Sequence, residues 1–368
     1  MKIAHIADLH IGSHQYGIKD RHRDQYQTCE LLAKAISDHD LILVAGDVFD
    51  SNDPTPDDIY CWVNMVKIMS SNGASVLACV GNHDKVLSSH LQWVDLAGLN
   101  PSNRSFMGGN RIDFSINTFD GLRVLSLDHI KRRDIKNVIE QIPAGIDIIM
   151  MHQSCVGFLS SIMRPEIDED DLKTLSQKCK YLALGDLHVH KKMKIADSCY
   201  VAYPGNSEYL RLCDPHNDFK FLSVEYANNA VKSMESVSFT PFRPTQIFKF
   251  IDKASALRDK YKYESSFNIF RYAPEQSEEV EKFREQVESD LALELFHFHR
   301  DKPIKTKSEE TDAEGVTEST DFIELVEKEP GLGDREIEII SDLWNNPDPE
   351  NVISVLNKDL KEQINENN

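Results

Sequence analysis

Residues 41–50 read Leu-Ile-Leu-Val-Ala-Gly-Asp-Val-Phe-Asp. The first five form a short, β-prone apolar run, the mark of a strand buried in a sheet. Gly46 then lets the backbone turn sharply off the strand end and aims Asp47 at it. The same pattern recurs outward along the chain. Residues 2–7 lead into Asp8-Leu-His10, 75–80 into Gly81-Asn-His-Asp84, 146–151 into His152-Gln153, and 181–184 into Gly185-Asp-Leu-His188. Residues 123–127 and 199–202 are two further runs of this type. Longer polar-apolar periodic stretches separate several of them. Strands and helices in alternation predict a layered α/β domain whose functional loops sit at strand ends around a shared crevice.

A chain of 368 residues has room for one large catalytic domain and one or two smaller modules. After Tyr203-Pro-Gly the pattern changes to a strand-like stretch, then Phe242-Arg-Pro-Thr-Gln and a further strand and helix. We divide the chain into a catalytic domain over 1–240, a small α/β module over 241–300, a charged linker over 301–330 and a tail over 331–368. The linker is rich in Lys, Glu and Thr and poor in large apolar residues. In the tail, Ile337, Ile340 and Leu343, then Val352, Val355, Leu356 and Leu360, recur at helical spacing on either side of a Pro-containing turn. Such a helix-turn-helix either docks on a partner or packs on its own domain.

The net charge of −20 argues at first against a nucleic-acid partner. However, residues 308–368 carry eighteen acidic and four basic side chains, which leaves only −6 on the first 307. That weakly acidic body has local basic clusters, at Lys131, Arg132 and Arg133 and at Lys191, Lys192 and Lys194, and bound divalent ions would add positive charge where a phosphate sits. The seven cysteines are scattered singly, with no C-x-x-C pair. They are expected to be reduced and buried, in keeping with a cytoplasmic compartment. No run approaches membrane-spanning length and the first residues lack a secretory pattern, so a soluble, intracellular protein is expected.

The chemistry lies in the strand-end clusters. In an extended segment, residues i and i+2 point the same way, so Asp8 and His10, and again Asp186 and His188, can each grip one ion. Asp47 can bridge two ions through its two oxygens. Asn82 offers a neutral carbonyl oxygen, and His83 beside it can serve as a ligand or a proton donor. With His152 the set supplies enough ligands for two ions with positions left for water and substrate. Mixed imidazole and carboxylate donors suit Mn²⁺, Fe²⁺ or Zn²⁺ better than Ca²⁺. Asp50 and Asp84 are expected to orient these ligands or cap turns rather than to bind metal.

The order Asp-x-His, Gly-Asp-x-x-Asp, Gly-Asn-His-Asp, a lone His and Gly-Asp-x-His resembles the signature of the calcineurin-like metallophosphoesterases. With Ile6-Ala-Asp-Leu-His-Ile-Gly12 and Tyr203-Pro-Gly-Asn-Ser207, the chain looks like their SbcD branch, nuclease subunits of the double-strand-break repair type. The motifs cover residues 1 to about 210. The resemblance implies a metallophosphoesterase sandwich, with 241–300 as a capping module that contacts DNA. It also implies one ion held by Asp8, His10, Asp47 and His188, another held by Asp47, Asn82, His152 and Asp186, and His83 as the general acid. Many members carry His where this chain has Asp186, a change that draws the second site toward harder ions such as Mn²⁺ or Mg²⁺. Two divalent ions, Mn²⁺ first and Mg²⁺ second, are the cofactors implied. The partners implied are DNA, an SbcC-type ABC ATPase gripped by 331–368, and a second copy of the chain in a homodimer.

Two other functions fit part of this pattern. One is a metallophosphoesterase acting on small molecules or phosphoproteins, although Gly46-Asp-Val-Phe-Asp50 lacks the Asp-Arg-Gly continuation of phosphoprotein phosphatases. The other is a DNA-end scaffold with a structural metal site, which full occupancy of the catalytic positions disfavours. His5, His22, His39, His90, His129, His216, His297 and His299 fall outside the clusters and are expected to be structural or surface residues; His190, two residues past His188, is expected to be a solvated loop residue, with a place facing the substrate as the alternative. Arg164, Lys191, Lys192 and Arg211 lie near site segments, where each is expected to be a plain surface charge, with a contact to phosphate as the alternative.

Overall fold

The structure is a computed structural model and describes residues 1–13, 18–85, 94, 105–107, 112–158, 165–196, 199–210, 219–249, 267–282 and 296–300. The chain divides into two units, Met1–Pro303 and Ile304–Asn368. The linker and the two expected tail helices lie outside the described residues.

Strands β1 (Lys2–Ile6), β2 (Leu41–Ala45) and β3 (Ser75–Cys79) run parallel, with Ile3 opposite Leu41 and Leu41 opposite Ser75. Helices α1 (Lys19–Ile36) and α2 (Pro56–Met69) make the crossovers between them. Thr55 and Asp58 start α2 with a reciprocal capping box and Pro56 occupies its first turn. The second sheet is built from β4 (Ser105–Met107), β5 (Ile112–Phe119), β6 (Leu122–Leu127), β7 (Ile148–His152), β8 (Tyr181–Gly185), β9 (Lys191–Ala196) and β10 (Cys199–Tyr203). Its order is β4-β5-β6-β7-β8-β10-β9, and β6, β7, β8 and β10 are parallel. An antiparallel hairpin, β11 (Phe219–Ala227) and β12 (Ala230–Phe239), returns to the first sheet and completes the order β12-β11-β1-β2-β3.

Strands β2, β7 and β8 read as apolar runs because each is buried on both faces, whereas the edge strands β9 and β12 are largely exposed. Along β2, Leu41, Leu43 and Ala45 pack between the two sheets with Ile148, Met150, Tyr181 and Ala183. Ile42 and Val44 face the other way, onto Leu32 and Ile36 of α1 and Trp62 and Met65 of α2. On the far side, Ile149, Met151, Leu182 and Leu184 pack against α3 (Arg132–Gln141) and α4 (Glu169–Lys178) through Ile135, Val138, Leu172 and Leu175. The period-2 alternation thus feeds three cores and makes four layers, α/β/β/α. The expected layered α/β domain is present. The parallel strands of both sheets end at one edge, which collects their loops.

Beyond residue 240 a third sheet forms from β13 (Thr245–Lys249), β14 (Phe267–Tyr272) and β15 (Phe296–Arg300), all parallel. Six cysteines, Cys29, Cys61, Cys79, Cys155, Cys179 and Cys199, are buried and free of disulfides, while Cys213 lies outside the described residues. Among the described residues, no helix is long and apolar enough to cross a membrane.

Candidate metal centre

The loops after β1 and β2 keep the strands' pairing but not their extended backbone. Asp8 N donates to Gly46 O at 3.1 Å, His10 N to Asp47 O at 3.0 Å and Ile11 N to Val48 O at 2.8 Å. Yet Asp8, His10 and Asp47 sit at φ of 53°, 46° and 47°, and Asp186 at 98°. The expectation of an extended backbone at Asp8–His10 and at Asp186–His188 is therefore corrected: each loop turns through left-handed residues, although Asp8 and His10 still meet. Of the seven non-glycine residues with positive φ among the described residues, these four bear candidate ligands, and the other three, Asp120, Asn228 and Asn229, sit in hairpin turns. Gln25 of α1 holds the first loop in place. Its amide donates to the carbonyls of Leu9 and His10, and its Oε1 accepts from Gly12 N at 3.0 Å.

Two groups of side chains share Asp8. Asp8, His10 and His188 can offer one ligand atom each within 4.8 Å of one another, and so can Asp8, Asp47 and His152, while a third such group, His10, Asp50 and His83, shares His10. The Nε2 atoms of His10 and His188 stand 3.2 Å apart. Two nitrogens each about 2.1 Å from a common ion and at right angles to one another are separated by about 3 Å. Asp47 Oδ2 lies 3.6 Å from His10 Nε2 on one side and 3.3 Å from His152 Nε2 on the other. His152 Nε2 is also 3.0 Å from Asn82 Oδ1 and 3.9 Å from Asp186 Oδ1. Asp186 and His188 thus part company, one toward each group. Asp8, His10, Asp47 and His152 are buried, His83, Asp186 and His188 half-buried and Asn82 exposed, so the cluster opens to solvent on one side.

Hydrogen bonds to the outer ring nitrogens set which nitrogen faces inward. His152 Nδ1–H donates to Ala45 O at 2.8 Å and leaves Nε2 toward the site. His10 Nδ1 is 3.0 Å from Asp50 Oδ1, and His83 Nδ1 donates to the Asp50 carbonyl at 3.0 Å. His83 and His10 rings meet edge to face, 4.8 Å between centroids. Buried Asp84 orients no histidine. It accepts from Val48 N and from Gly81 N, both at 2.7 Å, and ties the Asp47 loop to the His83 loop. Gly46, at φ 85°, makes the expected turn. Gly81 has a different role: a Cβ there would collide with Asp47 Oδ1, so glycine lets the two loops close.

This donor set fits cations. Asp8 Oδ2 is buried with no hydrogen-bond partner, a state costing roughly 1–3 kcal/mol or more that an ion would relieve. Burial raises the Asp8 and Asp186 carboxyls above their ordinary range. Burial works against a charged His152, but the Asp47 carboxylate, helped by Asp8 and Asp186, raises its pKa to about 10. Burial would raise Asp47 as well, and it is held low because His152 and His10 outweigh it. The carboxylates around His152 thus favour a proton on its ring, and a metal bound there would displace that proton.

A family model for calcineurin-like phosphoesterases matches residues 1–190. The chain belongs to that family. Among curated relatives, proteins named DNA double-strand break repair protein Mre11 from Methanosarcina mazei, Archaeoglobus fulgidus and Aeropyrum pernix are 27%, 29% and 27% identical over 56%, 56% and 62% of this chain. The aligned parts cover 33%, 50% and 59% of those proteins, so the chain spans about half the length of the curated relatives it matches. Among solved structures, a dimetal phosphatase from Danio rerio matches at 11% identity over 65% of this chain and 99% of that one, with a TM-score of 0.44, too loose to bear on the assignment.

Several residues near this phosphoesterase site escape sequence reading. Glu166 approaches His129 at 3.5 Å and accepts from Ser154 N at 3.1 Å, and the His129 ring lies 6.4 Å from that of His152. Neither Glu166 nor Gln25 stands in a motif. His190 donates from Nδ1 to Pro204 O at 3.0 Å and its Nε2 is 2.8 Å from Ser236 Oγ, so it joins the site loop to β12. Lys191 reaches Gly157 O at 2.7 Å and lies 5.2 Å from the centre of the Phe158 ring. Arg164, Arg211, His90 and His216 lie outside the described residues.

Proposed function

We propose that this chain is a two-metal nuclease that hydrolyses phosphodiester bonds at DNA ends, as both exonuclease and endonuclease, in repair and recombination. The observation that carries the reading is the position of Asp47 Oδ2 between His10 Nε2 and His152 Nε2, with an unpartnered Asp8 oxygen beside it. Asp8, His10, Asp47 and His188 would hold one ion, and Asp47, Asn82, His152 and Asp186 the other, with Mn²⁺ the preferred metal and Mg²⁺ the alternative. Bound there, the ions would activate a water and stabilise the attacking and leaving oxygens of the displacement. His83 keeps Nδ1–H on the Asp50 carbonyl and, when protonated, carries on Nε2 the proton for the leaving 3′-oxygen. Asp50 holds the His10 ring, and Asp84 the two loops on which Asp47 and His83 ride.

The relatives named as double-strand break repair proteins support DNA as the substrate. The helical periodicity of 331–368 supports docking on an SbcC-type ABC ATPase, which would supply much of the duplex binding. A homodimer would bring two sites to one DNA end. Titration of the metal-free chain with Mn²⁺ tests the reading. Two ions should bind per chain, and Asp47→Ala should lose tight binding of both and all Mn²⁺-dependent cleavage of linear duplex. Full cleavage by that variant would refute the site.

A further inference from the structure

Strands β9 and β12 each end their sheet, and their edges lie side by side. Lys192 Nζ of β9 donates to Met234 O of β12 at 2.7 Å, and His190 and Ser236 join the same strands at the end nearer the metal centre. Between the edges runs a groove of about 330 Å³ lined by Lys192, Lys194 and Lys232 together with Tyr200, Ser233 and Met234. Among the described residues no acidic side chain lines it, the nearest carboxylate given being Glu225, whose Oε2 accepts from Ser233 Oγ at 3.5 Å. Lys194 Nζ lies 5.9 Å from the centre of the Tyr200 ring. Lys192 and Lys194, two residues apart on one strand, share a face. Lys192 follows His188 by four residues, so the groove begins where the metal-centre loop ends and leads away from it.

We propose that this groove holds the phosphodiester backbone of a nucleic-acid strand whose scissile bond lies at the metal centre, an inference that rests on the nuclease reading above. Three ammonium groups beside an aromatic ring, one of them with a hydrogen bond to Met234 O, suit a polyanionic strand. Lysines on free strand edges also discourage edge-to-edge pairing, and that is the outcome opposed to the proposal.

The test measures binding of the full-length chain to labelled single-stranded DNA and to blunt duplex, in chelator so that nothing is cut, across a range of salt. The triple variant Lys192→Gln, Lys194→Gln, Lys232→Gln is compared with wild type and with the triple arginine variant. Each lost contact to a single strand lowers the salt slope by about 0.7, so the glutamine variant should lose about 2 from the slope and roughly tenfold in affinity for single strands. The arginine variant should keep both. Hydrolysis of a chromogenic phosphodiester with Mn²⁺ should be equal in all three, since that substrate reaches only the metal centre. Unchanged slope and affinity in the glutamine variant, or loss on blunt duplex alone, overturns the groove. Absence of Mn²⁺-dependent hydrolysis in wild type overturns the nuclease reading instead, and the salt slopes still decide the groove.

Discussion

Asp47 occupies φ 47°, where a residue with a Cβ is strained by roughly 1–3 kcal/mol, and it carries a charge that burial opposes. Asp8, His10 and Asp186 share the left-handed backbone. The fold accepts this strain because the loops are bonded to each other and to Gln25 and Asp84, and the strain turns side chains from three strand ends, those of β1, β2 and β8, toward one point. A comparison of two variants isolates it. In chelator, Asp47→Gly should be more stable than Asp47→Ala by about 1 kcal/mol by urea midpoint, since only alanine keeps the Cβ penalty. Equal midpoints would mean the backbone there is unstrained. The polar residue types at the strand ends were legible because carboxylates and imidazoles are unusual directly after apolar runs. The positive φ values were not, because Asp and His do not announce them as glycine does. Gln25 and Glu166 were invisible for a related reason: their partners are distant in sequence, and on a helix or loop they look like any solvated side chain.

At the scale of elements, β1 and β8 belong to different sheets and are pinned through the core by one polar pair, His5 Nδ1 at 2.6 Å from Tyr181 Oη. Burial lowers the pKa of His5 from 6.5 to about 3. The sign follows directly. Between these values the unfolded chain binds a proton that the folded chain refuses, so this group's contribution to stability is full above 6.5 and is lost as pH falls toward 3. In urea titrations over that window, stability should fall by about one proton's worth per pH unit more in wild type than in His5→Phe. Parallel slopes would show that His5 does not stay neutral in the fold. The central parallel strands were legible within a residue or two because burial on both faces demands five consecutive apolar residues. Their assignment to two sheets was not, since runs such as 41–45 and 181–184 are of one kind and only the connections sort them. The β11–β12 hairpin read merely as strand-like, with its Asn228-Asn229 turn unrecognised.

At the scale of the whole molecule, charge is separated along the chain, with −14 of the −20 on residues 308–368. The docking proposal puts the ATPase partner on the last part of that segment, residues 331–368. Deleting 331–368 should leave Mn²⁺-dependent hydrolysis unchanged while abolishing co-purification with an SbcC-type ATPase, and undiminished co-purification would sink the docking role. The central claim concerns the catalytic unit alone, and one measurement meets it most directly: release of nucleotides from end-labelled linear duplex DNA by the full-length chain with Mn²⁺, Mg²⁺ or chelator, wild type beside His83→Ala. The account predicts release that requires Mn²⁺ or, less well, Mg²⁺, and that falls about 10²–10⁴-fold in the variant while metal binding is kept. Cleavage that survives chelation, or a His83→Ala variant as active as wild type, would contradict it.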